Sequence, residues 1–397
     1  MNTVQQYGSE CIDCTDTIKI IAKETAKKKN PQDGLVIVVS AMGSIAESIM
    51  TNAGNIAENM VREDPDALFS AGERQTAALM AVALEEAGLN AQVVTDIRGR
   101  SLEAKDHEES AVEIDTGKIE KLLDEGAIVV VTGSQGIGDH ELKDIDRRCG
   151  ASSTAVVIAA QLGCECELYG NAEGIHSVDP AVCPGSKILK TSCYEEVMEM
   201  VLLGEANLES RALELAGMYN VKLHIKKPFN NGGTKIMSRN LIVEPKVVSG
   251  VKVAGNIVIY TLRNINNNGR AVAELFDVLR DIDINIDMIS QHNDGEGKCT
   301  VAFSCTGNQT EKMENALKSN PRLQGIEVSK QEDLSMVSII GVGMASHSGV
   351  AGKVFNVLAE AGIPYYNITT SEISISVALD SENSSAAVVA LGEAFRL

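Results

Sequence analysis

Hydrophobic and polar positions along this chain follow two regimes. Through residues 1–240, short unbroken apolar runs alternate with longer stretches of helical period. Runs such as Gly34-Leu-Val-Ile-Val-Val-Ser40 and Ala127-Ile-Val-Val-Val131 are β-branched at nearly every position, which marks strands buried on both faces and hence a parallel sheet. The pattern predicts strands at Val4–Tyr7, Gly34–Ser40, Ala91–Thr95, Ala127–Val131, Glu165–Tyr169 and Val221–Ile225, the last of its unit. Helices are predicted at Thr15–Lys28, near Ser44–Val61, through Gly88, at Thr154–Leu162, near Tyr194–Leu203 and at Ala206–Met218, with Ser70-Ala-Gly-Glu73 as a turn. Strand-helix alternation of this kind is an α/β fold with helices on both faces of the sheet.

From Asn230 to Gly250 the periodicity weakens, and Asn230-Asn-Gly-Gly233 and Pro245 mark a connection between domains. Beyond it lies a repeat: Phe276, Val278, Leu279, Ile284 and Ile289 recur as Phe355, Val357, Leu358, Ile363 and Ile368, a constant offset of 79 residues. Each copy reads strand (Ile257–Leu262; Met336–Gly341), helix, strand, strand (Cys299–Cys305; Ile373–Leu379), helix (Thr310–Ser319; Ala386–Phe395). This βαββα order is that of a ferredoxin-like module, whose copies pair their sheets. The loops Asn266-Asn-Asn-Gly269 and Ser346-His-Ser-Gly349 precede the first helix of each copy. They suit a small polar ligand between paired modules and, equally, simple helix caps.

The joint from Ala127 to Gly163 concentrates the candidate chemistry. Gly133, Gly136 and Gly138 follow a buried strand at once, and Ser152 or Ser153 can cap the helix that ends at Gly163. Strand, loop and helix N-terminus together make an anion pocket, with Arg147 and Arg148 strengthening the pull. The same residues also read as an ordinary strand-to-helix connection.

The formal charge of -20 excludes nucleic acid and anionic membranes as partners, although local charge still decides the binding of a small anion. No segment approaches the roughly 20 apolar residues of a membrane span. The first residues lack a basic region followed by an apolar run, so the expected location is the cytoplasm. Nine irregularly spaced cysteines read as reduced, mostly buried thiols; Cys11-Ile-Asp-Cys14 and Cys164-Glu-Cys166 lack a second pair at zinc spacing, so no metal site is expected.

Over nearly its whole length the sequence resembles the aspartokinases. The matching motifs are Val38-Val-Ser-Ala-Met42, Ser70-Ala-Gly-Glu73, Thr132-Gly-Ser-Gln-Gly136, Val178-Asp-Pro180, Leu203-Gly204 and Arg211-Ala212. Stronger still are Val337-Ser-Ile-Ile-Gly-Val-Gly-Met-Ala-Ser-His-Ser-Gly-Val350 and Asn367-Ile-Thr-Thr-Ser-Glu372. The resemblance implies a three-layer, carbamate-kinase-like amino-acid-kinase domain over residues 1–240 and two ACT modules over 250–330 and 331–397. It also implies phosphorylation of the L-aspartate side chain with ATP and Mg2+, a step in amino-acid biosynthesis, under allosteric control by an effector such as lysine or threonine.

The departures fall where the chemistry belongs. The family's Lys-Phe-Gly-Gly-Thr-Ser reads Gln6-Tyr7-Gly8-Ser9-Glu10-Cys11 here, so the catalytic lysine is replaced by Gln6. Its Gly-Arg-Gly-Gly-Ser-Asp-Thr-Thr-Ala becomes Arg147-Arg-Cys-Gly-Ala-Ser-Ser-Thr-Ala155, which keeps the carboxylate-gripping arginine as Arg148 and turns the aspartate into Ser152. The Thr-Asn after the Ser-Ala-Met turn is Ala46-Glu47, beyond Ser40, while Glu73 survives to hold substrate. The nucleotide segment, with Gly8 and Ser9, reads Gly170-Asn171-Ala-Glu173-Gly174-Ile-His176. Effector contacts carried over are Asn267, Gln291, Ser346, His347, Ser348, Gly349, Asn367, Thr369 and Glu372. The family's Asp-x-Pro-Gly is Asn267-Asn-Gly-Arg270.

Three readings follow. The first is a working aspartokinase with a replacement cation from Lys143, Arg147 or Arg148. The second is a weak or inactive paralogue acting as an amino-acid sensor or as partner of an active aspartokinase subunit. The third is an enzyme for another substrate built on Cys11, Cys14 and Cys149. In each, ACT pairing implies a homo-oligomer.

Overall fold

The unbroken apolar runs form the inner strands of an eight-stranded sheet. The computed structural model describes residues 2–397 except 57–62, 96–98, 103–110, 134–149, 205–207, 245, 283, 296, 321–322 and 324. The chain divides into two units, Met1–Ser177 with Lys187–Pro245, and Val178–Ser186 with Lys246–Leu397. In the first unit the order is β1 (Thr3–Tyr7), α1 (Thr15–Lys28), β2 (Leu35–Val39), α2 (Gly43–Ile56), α3 (Glu63–Glu86) and β3 (Ala91–Val94). An antiparallel pair, β4 (Gly99–Leu102) and β5 (Ala111–Ile114), precedes α4 (Gly117–Asp124), β6 (Ile128–Thr132), α5 (Ala151–Gln161) and β7 (Glu165–Tyr169). The unit ends with β8 (Thr191–Cys193), α6 (Tyr194–Leu202), α7 (Ser210–Tyr219), β9 (Leu223–Lys226) and β10 (Thr234–Met237).

The sheet runs β3-β6-β2-β1-β7-β9-β10-β8, with every neighbouring pair parallel except β9 and β10. Every residue of β2 and β6 is buried, which is why neither alternates with polar positions. Ile18 and Ile21 of α1 and Met80 and Leu84 of α3 cover Leu35, Ile37, Val39, Ile128 and Val130 on one face. Helix α5 packs on β1, β2 and β7, and its run Ala155–Ala159 is buried all round, as expected of an interior helix.

Several expectations are corrected. Ser70–Glu73 is not a turn but part of α3; a Cβ on Gly72 would lie 3.0 Å from Ile49 Cδ1 and 3.1 Å from Ala41 Cβ, so this glycine serves close packing. Val221–Ile225 is not the last strand, because β10 returns antiparallel to β9. Asn230-Asn-Gly-Gly233 is the turn of that hairpin rather than a linker, with Asn230 Oδ1 accepting from Gly232 N–H at 2.9 Å. Helix α5 is capped at Gly150, so Ser152 and Ser153 lie inside its first turn.

The second unit contains β11 (Gly250–Asn266), α8 (Gly269–Asp281), β12 (Met288–Asn293), β13 (Lys298–Thr306), α9 (Thr310–Ser319) and β14 (Glu327–Ile340). It continues with α10 (Val350–Glu360), β15 (Asn367–Thr370), β16 (Ser374–Asp380) and α11 (Ser384–Phe395). One antiparallel sheet, β12-β13-β11-β14-β16-β15, carries both repeats. Strands β11 and β14 are long because each serves both copies. Residues 257–263 pair with 327–334 in the first copy, and 250–254 pair with 336–340 in the second. Register shifts separate the two halves, and Asn256 and Asp333, both at φ 57, take left-handed backbone there. The first copy is therefore βαββαβ, closed by the start of β14, and the second takes its extra strand from the start of β11, which precedes it in sequence. Among the described residues no helix is long and apolar enough to cross a membrane.

One polar cluster in the first unit tests this account of the sheet. Register aligns Gln5, Glu167 and His224 across β1, β7 and β9, and next to them Tyr7, Tyr169 and Lys226. Glu167 accepts from Lys226 Nζ at 2.6 Å, Gln5 Nε2 at 2.8 Å and Tyr169 Oη at 2.9 Å, while Tyr7 and Tyr169 stack at 4.6 Å. Burial alone would raise the Glu167 pKa. The Lys226 ammonium outweighs it, helped by the Tyr169 and Gln5 donors, and holds the carboxyl below the usual glutamate value. A carboxyl depressed by folding stabilises the protein above its unfolded pKa, and that contribution is lost as pH falls through the native value. Lys226→Met is expected to cost about 3 kcal/mol in urea unfolding at pH 7, because it strands a largely buried carboxylate. The deficit should shrink as pH falls and the Glu167 carboxyl protonates, and Glu167→Gln should flatten the acid limb of the parent's stability curve.

Candidate functional site

Parallel strands end in a row, and the residues just past those ends build the site. Gly8, Ser40, Gly133 and Gly170 follow β1, β2, β6 and β7. Each still extends the ladder through its N–H: Gly8 to Tyr169 O (3.1 Å), Ser40 to Tyr7 O (3.1 Å), Gly133 to Val39 O (2.9 Å) and Gly170 to Lys226 O (3.3 Å). These amides are thereby consumed by the sheet. Gln6 is buried within β1, one residue before the edge, and brings no charge to it.

After β1 the chain turns tightly through Ser9–Cys11, with Cys11 and Ile12 N–H both donating to Gly8 O. The turn places the Glu10 carboxylate over the strand-end glycines. A Cβ on Gly8 would lie 2.5 Å from Glu10 Oε2, and one on Gly170 would lie 3.2 Å from Oε1. Ser9 Oγ donates to Glu10 Oε2 at 3.4 Å. The first N–H groups of α2 do not face this space either, since Gly43 donates to Ile12 O at 2.9 Å and Ser44 to Asp13 O at 3.4 Å.

On the β6 side, Glu73 is buried on α3 and comes close to Gly133 and the start of α5. A Cβ on Gly133 would lie 2.6 Å from Ala151 Cβ and 3.0 Å from Glu73 Oε1. Thr76, one turn along α3, accepts from Met42 N–H at 2.8 Å and fixes the loop after β2. Ala46, on α2, carries no hydroxyl. At the N-terminus of α5, Ser153 N–H and Oγ donate to Glu209 Oε2 at 3.3 and 3.0 Å, and a Cβ on Gly150 would collide with the same carboxylate. Ser152 is half-buried beside them. A carboxylate from α7's N-cap therefore sits where the helix dipole favours an anion. Glu209 was not foreseen because the predicted helix started at Ala206; an acid followed by serine before the apolar period was the missed boundary signal.

Arg147, Arg148, Lys143 and Cys149 lie outside the described residues. Asn171 and Glu173 are exposed on the loop after β7, while Gly174 is buried and lies close to Ile188 and Thr234. His176 forms an isolated bridge with Ile188. Cys11 donates to Gly8 O and Tyr169 O at 3.2 Å, and burial, with the Glu10 charge adding to it, pushes its thiol up to about 12. It is therefore held as a thiol, which argues against Cys11 as a nucleophile, whereas Cys14 is exposed at the N-cap of α1.

In the second unit Asn267 N–H donates to Gly297 O at 2.9 Å, and Asn268 caps α8 through Oδ1. Ser346 Oγ and His347 Nδ1 both contact Gly343 O, at 3.1 and 2.8 Å, and Gly349 caps α10 with left-handed backbone. Ser348 and Glu372 are exposed. Gln291 lies on β12, and Asn367 and Thr369 lie on β15, the two outer strands of the sheet. Four strands at about 4.8 Å spacing separate them, so these effector candidates do not converge within one chain.

The amino acid kinase family model matches residues 1–227, and an ACT domain model matches residues 337–395. The aspartate kinase of Pseudomonas putida is 33% identical over 399 residues, covering 99% of this chain and 97% of that protein. The aspartokinase of Geobacillus stearothermophilus is 32% identical over 397 residues, with 99% and 97% covered. Clostridium acetobutylicum aspartate kinase shares the fold at a TM-score of 0.79 and 16% identity, over 99% of this chain and 100% of that one. Escherichia coli aspartokinase III, solved with aspartate and ADP, does so at a TM-score of 0.72 and 19% identity, with 100% of both chains covered. The kinase-domain match over more than half its length, with identity above 30% to full-length enzymes, makes this chain a member of the aspartokinase family.

Proposed function

We propose that this member of the family is a weak or inactive paralogue, acting as an amino-acid sensor or as the regulatory partner of an active aspartokinase subunit. One observation carries the reading: two places among the described residues where the first unit could grip a phosphate hold a carboxylate of the chain itself, Glu10 over Gly8 and Gly170, and Glu209 at the start of α5. The described residues do not favour a triphosphate, because a carboxylate stands at each of these places, where donors and cations are needed. Phosphoryl transfer depends on positioning and charge neutralisation, and losing one preorganised electrostatic group costs about 10²–10³ in rate. Gln6 and Ser152, in place of the family's lysine and aspartate, make two such losses.

A second reading, a working aspartokinase that uses Lys143, Arg147 or Arg148 as its cation with ATP and Mg2+, is favoured by Glu73. That carboxylate is buried and aimed at the strand-end space, as an aspartate-binding group would be. A replacement guanidinium can match a lysine's charge but not its compact geometry. L-aspartate or a related amino acid is the ligand expected here. Lysine or threonine is expected at the ACT modules, which a second copy would complete, since β12 and β15 are unpaired edges bearing exposed Ile289 and Ile368. Escherichia coli aspartokinase III has been solved with lysine and aspartate.

Incubation with MgATP, L-aspartate and hydroxylamine should give no aspartyl hydroxamate above an enzyme-free blank. A signal that disappears in Arg148→Ala would establish the working enzyme instead. In the Glu10→Ala/Glu209→Gln double variant, MgADP affinity measured by calorimetry should rise tenfold or more, since two repulsive charges near the phosphates are removed; unchanged affinity would mean that neither carboxylate blocks the site. Ile289→Lys should lower the oligomeric state seen by sedimentation if β12 is a pairing edge, and leave it unchanged if it is not.

A further inference from the structure

Apart from the strand-end space, the first unit holds a cavity of about 210 Å³ between the C-terminal end of α1 and strands β1 and β7, and the two share no lining residue. Since a dry cavity of about 150 Å³ takes up a benzene, this one has room for a molecule of about eight to ten non-hydrogen atoms. Its floor is the polar patch on the sheet, Gln5, Tyr7, Glu167 and Tyr169. Lys226, Gln5 and Tyr169 already donate to Glu167, so the floor offers ring edges and amide rather than an unbalanced charge. The buried side chains of Ile21 and Leu35 line the walls. Such an interior suits an uncharged group.

Charges of both signs gather at the mouth instead. Glu24 and Asp33 bring carboxylates, and Lys28 and Lys29 bring ammonium groups. Both lysines are loosely engaged, with Lys28 Nζ 4.0 Å from Glu24 Oε2 and Lys29 Nζ donating to Asn30 O at 3.5 Å. The backbone that presents them is fixed, because Lys29 N–H donates to Thr25 O at 2.8 Å and Asp33 N–H to Asn30 O at 3.0 Å. Helix α1 ends here, and the negative end of its dipole favours a ligand's ammonium.

Phe229 completes the mouth. It is the third residue of the turn Lys227-Pro-Phe-Asn230, closed by Asn230 N–H to Lys227 O at 3.2 Å, and it takes left-handed backbone at φ 67. Glycine or asparagine is usual at such a position. A phenylalanine there is strained, and at 45% exposure its burial does not offset the strain, which points to a use for the ring at the mouth.

We propose that this cavity binds a free α-amino acid with an uncharged side chain. Lys28 and Lys29 hold its carboxylate, Glu24 and Asp33 its ammonium, and the side chain enters past Phe229 towards Ile21, Leu35 and the edges of the two tyrosines. A lone anion would meet two carboxylates at the mouth, and a lone cation two ammonium groups; a zwitterion matches both pairs. The inference goes beyond the sensor-or-partner reading and does not rest on it, since the cavity is separate from both the strand-end space and the ACT modules.

Calorimetry on the full chain with L-norvaline tests it, beside pentanoate and butylamine, which keep the same tail but lack the ammonium or the carboxylate. L-Norvaline should bind with a Kd of about 1 mM or tighter, and each single-charge analogue at least tenfold more weakly. Phe229→Gly, which removes the ring and relieves the backbone, should weaken L-norvaline tenfold or more. In Lys28→Ala/Lys29→Ala the preference for L-norvaline over butylamine should disappear. No binding, equal binding of either analogue to the parent, or binding that survives Phe229→Gly because it occurs at the ACT modules, would overturn the proposal. Should Phe229→Gly not keep the parent's far-ultraviolet circular dichroism, Phe229→Ala is held to the same outcomes. Hydroxamate formation in the separate assay would overturn the inactive-paralogue reading and leave this one standing.

Discussion

Burial of β2 and β6 on both faces is the constraint from which the first unit follows. Strands that are apolar at every residue must be covered twice, so helices pack on each side and the strands run parallel. The strand-end residues Gly8, Ser40, Gly133 and Gly170 then leave the sheet together at one edge. Their amides are taken by neighbouring carbonyls, so binding at that edge depends on side chains and helix N-termini.

Among the described residues, two carboxylates stand at that edge, Glu10 and Glu209. Glu10 is placed by the tight turn after Gly8, and Glu209 by the capping geometry that starts α7. Glu209 accepts from Ser153 N–H and Oγ, and the exposed Glu10 accepts from Ser9 Oγ. Glu73, by contrast, remains where a substrate-binding carboxylate would be useful.

The second unit is organised by shared strands. Because β11 and β14 each run through both repeats, neither module closes its sheet alone, and the left-handed residues Asn256 and Asp333 let the shared ribbon change register between them. Residues 178–186 then complete the second module's core from a distant part of the sequence.

Periodicity and β-branched runs sufficed for the α/β class, the inner strands and the twofold repeat, because those signals are local: which face of each segment must be buried is encoded within a few residues; the family came from the resemblance of its motifs. Tertiary structure alone decided that Gly72 lies inside a helix, that Asn230–Gly233 closes a hairpin, and that Glu209 meets Ser153 across 56 residues. It also decided that each ACT copy borrows a strand, and that Val178 is buried in a core remote from it in sequence. Such contacts depend on which surfaces pack together, and a one-dimensional pattern of apolar positions specifies that a face must be covered without specifying what covers it.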